Sequence, residues 1–278
     1  MKILHFTAFA TDPSGGNPAG VVVPADGLDN ASMQAMAAEL GYSESAFVAP
    51  REDGSYGVRY FAPEAEVPFC GHATVAAAVA LAELSAPGAL TFHTNVGEIA
   101  VVTEERAEGM VATLTSVGTD VREPDSGVRR RLLAALRLSE ADLDPALPLL
   151  LSFAGNWHPM IAVASEETLA GLDYDFDALR ALMAEQGWKA TVTVFHRVEE
   201  HLFDARNPFP PGGVREDPAT GSAAASLGGY LRHLGEVSPP ADIIVRQGHH
   251  MGRPSRLAVH VPATGGIGVS GTAVPLHP

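Results

Sequence analysis

Two alanine-rich segments, each preceded by a glycine-containing turn, constrain the fold of this chain more than any other feature. The first begins at Cys70-Gly71-His72-Ala73-Thr74, and the second follows Asp217-Pro218-Ala219-Thr220-Gly221-Ser222. Both continue as small apolar residues in nearly every position, which predicts helices that are buried on all sides. Because a helix N-terminus carries unpaired N–H donors and a partial positive charge, each turn is suited to binding a carboxylate.

The spacing of these turns indicates an approximate duplication of the chain. The pairs Gly16-Asn17 and Gly155-Asn156 are 139 residues apart, while His72 and Asp217 are 145 residues apart. These similar offsets predict two lobes: residues 1–116, completed by about 266–278, and residues 117–265. Because ligands commonly bind between domains, we expect the functional site between the two lobes.

Both halves contain local patterns of strands and helices. In the first half, strands are predicted at residues 3–9, 20–23, 43–48 and 56–61. A helix follows the second of these strands, with Asn30 or Ser32 as its N-cap and Gly41 at its end. The second half has an amphipathic helix pattern at residues 176–186 and a strand pattern at 191–195.

The charge balance argues against nucleic acid as a partner. The net charge is −15, and the longest basic run is Arg129-Arg130-Arg131. Phosphate binding requires clustered Lys and Arg, which the chain lacks. An acidic surface also repels anions at long range, so a carboxylate substrate needs a small, enclosed pocket with local N–H donors. No apolar run approaches the length of roughly 20 residues that spans a bilayer, so no membrane association is expected.

The single cysteine, Cys70, excludes an intramolecular disulfide and a cysteine-rich zinc site. The first residues enter a strand pattern without the apolar core and cleavage site of a signal peptide. The sequence therefore predicts a cytoplasmic protein.

Six motifs in a fixed order resemble the PhzF-like isomerase family of phenazine biosynthesis, and they extend over most of the chain. They are Gly15-Gly16-Asn17-Pro18-Ala19-Gly20-Val21, Ser43-Glu44-Ser45, Arg59-Tyr60-Phe61-Ala62-Pro63 with Glu66-Val67-Pro68, Cys70-Gly71-His72-Ala73-Thr74, Glu216-Asp217-Pro218-Ala219-Thr220-Gly221-Ser222-Ala223, and Gln247-Gly248 with Met251-Gly252-Arg253-Pro254-Ser255. Six ordered motifs are far more specific than any one of them.

The resemblance implies an α+β fold of the diaminopimelate epimerase type. In that fold, two pseudo-symmetric lobes each wrap a curved, mostly antiparallel sheet around a central helix. The resemblance also implies an enzyme of the isomerase class that transfers protons on a small carboxylate-bearing metabolite without a cofactor, and a homodimer. By position in the motifs, it assigns the proton-handling roles to Glu44, His72 and Asp217.

Each of these three residues has a catalytic and a structural interpretation. Glu44 opens a predicted strand and can act as a base, or it can be a solvated residue at a strand edge. His72 lies at a helix N-terminus that favours neutral imidazole, and it can transfer a proton or cap the helix. Asp217 precedes a proline and can transfer a proton, form an N-cap, or do both.

The predicted substrate-binding residues surround these three. They are Ser43, Gly71, Ala73, Gly221 and Ser222. Backbone N–H groups at the start of the second helix are expected to bind the carboxylate. The side chains of Thr220 and Ser222 also suit helix caps.

Cys70 is the ambiguous residue of the predicted site. It precedes Gly71 where diaminopimelate epimerases carry the first of two opposed thiols, and Asp217 is the residue expected at the matching position of the second lobe. A symmetric two-thiol racemase is excluded, whereas a mixed Cys70 and Asp217 pair and an inert buried cysteine both remain. A Cys70 and His72 hydrolase pair is disfavoured, because two residues on one turn are expected to have little freedom to approach each other.

Neither a cofactor nor a metal is predicted. His249-His250 lacks a cluster of further ligands and is expected to be exposed. The glycine pairs Gly212-Gly213 and Gly265-Gly266 fit neither a phosphate-binding loop nor a dinucleotide fingerprint. The sequence thus predicts a cofactor-independent isomerase of unspecified substrate. The alternatives are a Cys70-dependent epimerase or racemase and a non-catalytic protein that binds a small ligand.

Overall fold

A computed structural model describes residues 1–276, which form strands β1 to β16 and helices α1 to α6. The strands are β1 Lys2–Ala8, β2 Asn17–Val23, β3 Glu44–Pro50, β4 Tyr56–Phe61, β5 Glu66–Val67, β6 Ala89–Thr94, β7 Gly97–Arg106, β8 Gly109–Gly118, β9 Asp120–Arg122, β10 Leu150–Phe153, β11 Trp157–Ala162, β12 Thr193–Glu199, β13 Leu202–Arg206, β14 Ala241–Gln247, β15 Ser255–Val261 and β16 Gly266–Pro275. The helices are α1 Asn30–Leu40, α2 Gly71–Leu84, α3 Ser126–Leu136, α4 Glu166–Ala170, α5 Phe176–Gln186 and α6 Gly221–Leu234.

The chain divides into two compact units. The first contains Met1–Thr115 together with the chain from Ser270 onward, and the second contains Ser116–Val269. The sequence predicted two lobes with boundaries after residue 116 and at about residue 266, and this division into lobes stays a prediction. The last two residues of the predicted completion, 277 and 278, lie outside the described residues.

The first unit alternates antiparallel and parallel strand pairs. Strand β1 pairs with β2 antiparallel, β2 with β3 parallel, β3 with β4 antiparallel, β4 with β6 parallel and β6 with β7 antiparallel. A parallel pair needs a long crossover connection, and helices α1 and α2 lie in the two crossovers. This order places the start of β3 beside β2 at one end of the sheet.

The second unit repeats the same series of pairings. Strand β10 pairs with β11 antiparallel, β11 with β12 parallel, β12 with β13 antiparallel, β13 with β14 parallel and β14 with β15 antiparallel. Helices α4 and α5 lie in its first crossover and α6 lies in its second. The strand order therefore supports the duplication that the sequence offsets suggested.

Helices α2 and α6 are equivalent in this repeat and are both buried, as their composition predicts. In α2 the residues from His72 to Ala82 are all buried. Helix α6 carries glycine within its apolar run because it packs closely on β15. A Cβ at Gly228 would lie 3.0 Å from the side chains of Val259 and Ile267. Small residues are required wherever a helix backbone approaches a strand this closely.

The structure changes the residue correspondence between the two halves. Helices α2 and α6 are each 14 residues long and start at Gly71 and Gly221. Their N-cap residues are Cys70 and Thr220, so Thr220 matches Cys70 in position. The sequence-based match of Cys70 with Asp217 was wrong by three residues, because a longer loop precedes α6.

The two ends of helix α1 were predicted with different success. Gly41 ends α1 in a left-handed conformation with φ 68°, as predicted. The N-cap of α1 is Asp29, whose carboxylate accepts from the backbone N–H of Ser32, rather than Asn30 or Ser32. Among residues 1–276, no helix has the length and apolar content needed to cross a membrane.

Candidate active site

Glu44 is the first residue of β3 and is held beside β2 by the parallel pairing of the two strands. Ala19 is its register partner. Its side chain is 16% exposed, so most of the side-chain surface is covered. Ser43 directly precedes it and lies outside the strand. The predicted position of Glu44 at the opening of a strand is confirmed.

His72 is the second residue of α2, and its imidazole lies next to Glu44. The Nε2 atom is 3.6 Å from a carboxylate oxygen of Glu44 and 3.4 Å from the hydroxyl of Ser43. The amide nitrogen of Asn17 is 3.1 Å from Nδ1. Together, Glu44, His72 and Cys70 form what we call the Glu44–His72 cluster.

Burial controls the protonation of His72. The side chain is 5% exposed, and its burial lowers the imidazole pKa below the ordinary value. The Glu44 carboxylate and a hydrogen bond to the Pro18 backbone oppose this shift. Since proline has no N–H, the Pro18 contact is its carbonyl, which accepts from the ring. An amide donor and a carbonyl acceptor thus both contact the imidazole, a setting that suits a group that gains and loses a proton.

The thiol of Cys70 contacts the imidazole of His72, although the sequence predicted that two residues on one turn have little freedom to approach each other. The Sγ atom lies 3.3 Å from Nδ1 and 3.8 Å from Nε2 of the imidazole. Cys70 has an extended backbone with φ −143° and ψ 118°, which folds its side chain back toward the first turn of α2. The extended conformation of this N-cap residue was not predicted from the sequence.

A hydrogen-bonded pair fixes the backbone of Cys70. The hydroxyl of Thr74 donates to the Cys70 carbonyl oxygen at 2.6 Å, and the hydroxyl of Tyr60 lies 2.7 Å from the Thr74 oxygen. Because the Thr74 proton is used on Cys70, Tyr60 is the donor to Thr74. Both hydroxyls are buried, so the start of α2 is held rigidly.

Asp217 lies in the second unit, in a set of contacts that we call the Asp217 network. Its carboxylate accepts from the hydroxyl of Thr220 at 2.5 Å, and its backbone N–H donates to the carbonyl of Asn207 at 3.0 Å. Asp217 is 8% exposed. The residue is therefore not the N-cap of α6; Thr220 holds that position and uses its hydroxyl on Asp217 instead of capping the helix.

Gln247, the last residue of β14, fixes the Asp217 network. Its amide nitrogen donates to the Asp217 carbonyl at 2.6 Å and lies 3.0 Å from the hydroxyl oxygen of Thr220. Its amide oxygen accepts from the Thr220 backbone N–H at 3.1 Å. A buried amide with three such contacts orients the loop before α6 without any charge.

The hydroxyl of Ser222, at the start of α6, is held by a buried histidine. The Nε2 atom of His158 is 3.0 Å from the Ser222 hydroxyl, and Nδ1 is 2.9 Å from the Thr191 carbonyl. A carbonyl only accepts, so Nδ1 carries the ring proton. Burial lowers the His158 pKa to about 4, and the ring is therefore neutral at pH 7. The Ser222 hydroxyl consequently donates to Nε2, and its oxygen is left as an acceptor.

The remaining predicted binding residues occupy the first turns of the two equivalent helices. Gly71 and Ala73 belong to α2, while Gly221 and Ser222 belong to α6. Neither helix has a side-chain hydrogen bond from its N-cap residue. Helices α1, α4 and α5 each have such a cap, from Asp29, Ser165 and Asp175 respectively, whereas α3 also lacks one.

Three residues of the site, Asn17, Gln247 and His158, were not predicted from the sequence. Asn17 and Gln247 stand within two of the six motifs, so their presence there was an available signal. His158 had no such signal, because a lone histidine in a strand is ordinarily a core residue. Its role follows only from the register that places it opposite Ser152 in β10 and from its contacts with Thr191 and Ser222.

The histidines His249 and His250 are exposed, as predicted. They lie in a short 3-10 turn, His249–Met251.

The backbone beside Gln247 provides a test of the Asp217 network. Gly248 has φ +76°, and a Cβ there would lie 2.2 Å from the Arg253 carbonyl oxygen and 2.7 Å from that of Pro218. Because Pro218 follows Asp217 directly, we expect Gly248→Ala to displace Asp217, to reduce the free energy of unfolding by at least about 2 kcal/mol and to lower activity.

Gly252→Ala is the matched control for Gly248→Ala. Gly252 has φ +71° in the same segment, but a Cβ there would have no neighbouring atom within 4 Å. This substitution should cost about 1 kcal/mol from backbone strain alone. Denaturant unfolding of both variants measures the difference, and equal losses would show that the close contacts of Gly248 do not matter.

Comparison with known proteins places the chain among isomerases. A family model described as phenazine biosynthesis-like protein matches residues 6–277. The uncharacterized isomerase YddE of Escherichia coli is 34% identical, over 98% of this chain and 95% of that protein. The trans-2,3-dihydro-3-hydroxyanthranilate isomerase of Pseudomonas fluorescens is 32% identical, over 89% of this chain and 86% of that protein.

Solved structures agree with this result. A phenazine biosynthesis protein of the PhzF family from Bacillus anthracis has a TM-score of 0.89 and 26% identity, covering 100% of this chain and 98% of that one. A probable proline racemase from Agrobacterium radiobacter shares the fold, with a TM-score of 0.67 and 14% identity over 99% of this chain and 90% of that one.

The fold and the named relatives define an isomerase with the diaminopimelate epimerase-like fold. Within this class, the chain belongs to the PhzC-PhzF family of phenazine biosynthesis-like proteins. The predicted family, the α+β fold class and the isomerase class are thereby confirmed.

Proposed function

We propose that the protein is a cofactor-independent isomerase that moves a proton between positions of a small carboxylate-bearing metabolite. Glu44 is the base, and His72 and Asp217 assist the return of the proton. The observation that carries this proposal is the contact of 3.6 Å between the Glu44 carboxylate and Nε2 of a buried His72. Two adjacent groups of different basicity can accept a proton and then pass it on.

In the proposed reaction, the Glu44 carboxylate removes a proton from a carbon of the substrate, and the C–H electron pair moves into the adjacent unsaturated system. Because the Asn17 amide donates to Nδ1, neutral His72 carries its proton on Nε2, beside Glu44, and this proton can be delivered to the substrate. A proton delivered by His72 or Asp217 to another carbon completes the isomerisation. Return of the proton held by Glu44 to the group that donated, directly or through water, restores the starting protonation state, so the cycle needs no oxidant and no reductant.

The proposed carboxylate recognition uses the first turns of α2 and α6. It is supported by the lack of a side-chain cap on both helices, which leaves the N–H groups of their first turns without a hydrogen bond from the N-cap side chain. Helix N-termini attract anions through their N–H groups and dipole. The proposed contacts are the backbone N–H groups of Gly71, Ala73, Gly221 and Ser222 and the hydroxyl of Ser43. The hydroxyl of Ser222 has a different role, since it donates to His158 and can accept a hydrogen bond from a substrate N–H or O–H.

The relative from Pseudomonas fluorescens suggests a substrate class. Its name identifies a dihydro-hydroxyanthranilate, which is an unsaturated cyclic carboxylate with amino and hydroxyl groups. We propose that the present protein acts on a compound of the same chemical class. A carboxylate matches the helix N-termini, and an amino or hydroxyl group matches the acceptor oxygen of Ser222.

The test is solvent exchange at carbon in heavy water. The probe is trans-2,3-dihydro-3-hydroxyanthranilate, followed by a panel of unsaturated carboxylates, with deuterium incorporation read by mass. Turnover with incorporation supports the proposed chemistry. Binding of a panel member without incorporation would instead favour the alternative of a non-catalytic ligand-binding protein.

A Cys70-dependent epimerase or racemase is the second candidate, and the contact of 3.3 Å between Sγ and Nδ1 of His72 favours it. Cys70→Ala and Asp217→Asn separate the two reactions. We expect Asp217→Asn to lower turnover by about a hundredfold or more, as expected when a catalytic acid is lost, and Cys70→Ala to lower it far less. The reverse order, measured as initial rates on folded variants, would establish the thiol as the acid or base.

The cytoplasmic location and the homodimer belong to the same proposal. They are supported by the family resemblance, and they are tested by cell fractionation and by light scattering of the purified protein.

A further inference from the structure

We propose that His158 is a positioning residue that sets the substrate specificity of the site, because it keeps the Ser222 hydroxyl oriented as a hydrogen-bond acceptor toward the substrate. The proposal deepens the proposed function and rests on it, since Ser222 is there a contact for the substrate. His158 lies in β11 and stands in none of the six motifs. A site built in this way selects carboxylates that carry an N–H or O–H donor over carboxylates that carry none.

Two contacts fix the ring proton of His158 on Nδ1. This nitrogen is 2.9 Å from the carbonyl oxygen of Thr191 and 3.1 Å from its hydroxyl oxygen. The carbonyl only accepts, and the Thr191 hydroxyl donates its proton to the amide oxygen of Asn207 at 3.0 Å. Both groups of Thr191 therefore accept from Nδ1, and Nε2 carries a lone pair and no proton.

The unprotonated Nε2 determines the direction of the Ser222 hydroxyl. It is 3.0 Å from the hydroxyl oxygen, and a ring nitrogen without a proton only accepts. His158 is fully buried, and the burial lowers its pKa to about 4, so the ring stays neutral at pH 7. The Ser222 proton thus points at His158, and the lone pairs of the Ser222 oxygen remain for a substrate.

A hydroxyl with a fixed proton discriminates between ligands, whereas a freely rotating hydroxyl does not. A serine that rotates can donate to one ligand and accept from another. With its proton used on His158, the Ser222 oxygen gains a hydrogen bond from an amino or hydroxyl group of the ligand. A C–H group or an acceptor at the same place leaves this oxygen unpaired. Sites built to bind a polar group in this way reject analogues that lack it.

The same hydrogen bonds join Ser222 to the loop that carries Asp217. The amide oxygen of Asn207 accepts from the Thr191 hydroxyl, and the backbone carbonyl of Asn207 accepts from the N–H of Asp217 at 3.0 Å. Thr191 and Asn207 are both buried. The imidazole of His158 therefore links the start of α6 to this loop, with Nε2 on the Ser222 side and Nδ1 on the Thr191 side. A variant that keeps only the Nδ1 contact tests the Ser222 side alone.

The experiment compares two ligands that differ by one hydrogen-bond donor. The probes are anthranilate and benzoate, which share a carboxylate on a six-membered ring, and only anthranilate has an amino group beside it. Calorimetric titration gives the Kd of each probe. One neutral hydrogen bond corresponds to about a twofold to tenfold difference in Kd, and we expect the wild-type protein to prefer anthranilate by a factor in this range. Nitrogen NMR should show the His158 ring proton on Nδ1.

Variants test whether His158 acts through Ser222. His158→Asn keeps a donor for the Thr191 carbonyl, but its shorter side chain does not reach Ser222, so the preference for anthranilate should vanish. Ser222→Ala should have the same effect, and adding His158→Asn to it should change the preference no further, because both substitutions remove one hydrogen bond. His196→Asn is the matched control. His196 lies in β12, contacts the Val163 carbonyl at 3.2 Å, and its variant should keep the wild-type preference.

A purely structural role of His158 would weaken both probes equally, so an unchanged Kd ratio in folded His158→Asn would overturn the proposal. A wild-type protein that binds the two probes equally, or binds neither, would also overturn it, as would a His158 ring proton on Nε2. Circular dichroism establishes folding, and Ser222→Ala and the NMR measurement decide the matter if His158→Asn does not fold. None of these measurements needs turnover. A protein with the His158-dependent preference that exchanges no substrate proton would retain this specificity and lose the proposed isomerase function.

Discussion

Glu44→Gln is expected to reduce deuterium incorporation and turnover by a factor of about 10² to 10⁴, the range that a positioned general base contributes. The glutamine side chain keeps the size of glutamate, but its amide does not accept a proton from carbon. The Glu44 side chain is already 16% exposed and its neighbour His72 is neutral by burial, so the variant should fold normally. The measurement is the initial rate in heavy water for a substrate that the wild-type protein turns over.

Glu39→Gln is the matched control for this prediction. It makes the same change in charge on the exposed surface of α1, and it should leave the rate unchanged. A Glu44→Gln rate within a factor of about three of the wild type, in a variant with normal circular dichroism, would remove Glu44 from the mechanism. A selective loss in Glu44→Gln would be evidence for the base role.

The stability of the protein should fall by about 3 kcal/mol as the pH is lowered from 6.5 to 4, because His158 must be protonated in a buried site. The His158 pKa is lowered from 6.5 to about 4 in the folded protein, and each pKa unit corresponds to about 1.4 kcal/mol. Between these values the unfolded chain binds more protons than the folded one, so the free energy of unfolding rises with pH. The stabilisation is fully present above pH 6.5 and is lost as the pH falls toward 4.

Denaturant unfolding at a series of pH values tests this prediction. His158→Asn keeps a donor beside the Thr191 carbonyl but removes the titrating group, so its free energy of unfolding should vary about 3 kcal/mol less across this window. The exposed His250 gives the control His250→Asn, whose pH dependence should match the wild type. An unchanged pH dependence in His158→Asn would show that His158 is not buried in neutral form.

His72 also makes the free energy of unfolding rise with pH. Its pKa is also lowered by burial, although the Glu44 carboxylate opposes the shift. A double variant at His72 and His158 should therefore have a flatter pH dependence than either single variant. The two histidines have different hydrogen-bond partners, so their effects on stability are expected to add.

Local sequence signals predicted much of the secondary structure. The strand at Tyr56–Phe61 and the helix at Phe176–Gln186 have the predicted boundaries, because apolar periodicity and flanking turn residues act over only a few positions. Composition alone predicted that α2 is buried on all sides. The N-cap of α1 was missed because Asp29, Asn30 and Ser32 are all good caps, and backbone geometry decides among them.

The site was only partly predictable. The motifs indicated Glu44, His72 and Asp217, and the structure brings Glu44 and His72 within 3.6 Å of each other. The approach of Cys70 to His72 was not predicted, because it depends on the extended backbone of a single N-cap residue. The correspondence of Cys70 with Thr220, rather than with Asp217, required the helix boundaries.

The sequence by itself determined the family, the α+β class and the burial of α2 and α6, since each depends on residue types in a linear order. Tertiary structure decided which groups touch. Asn17 contacts His72 across 55 residues of chain, and His158 contacts Ser222 across 64. Contacts of this kind arise from strand register and helix packing, which set the direction of every side chain. The pKa of about 4 for His158 follows from that burial, which is why a histidine that belongs to no motif in the sequence becomes a determinant of stability.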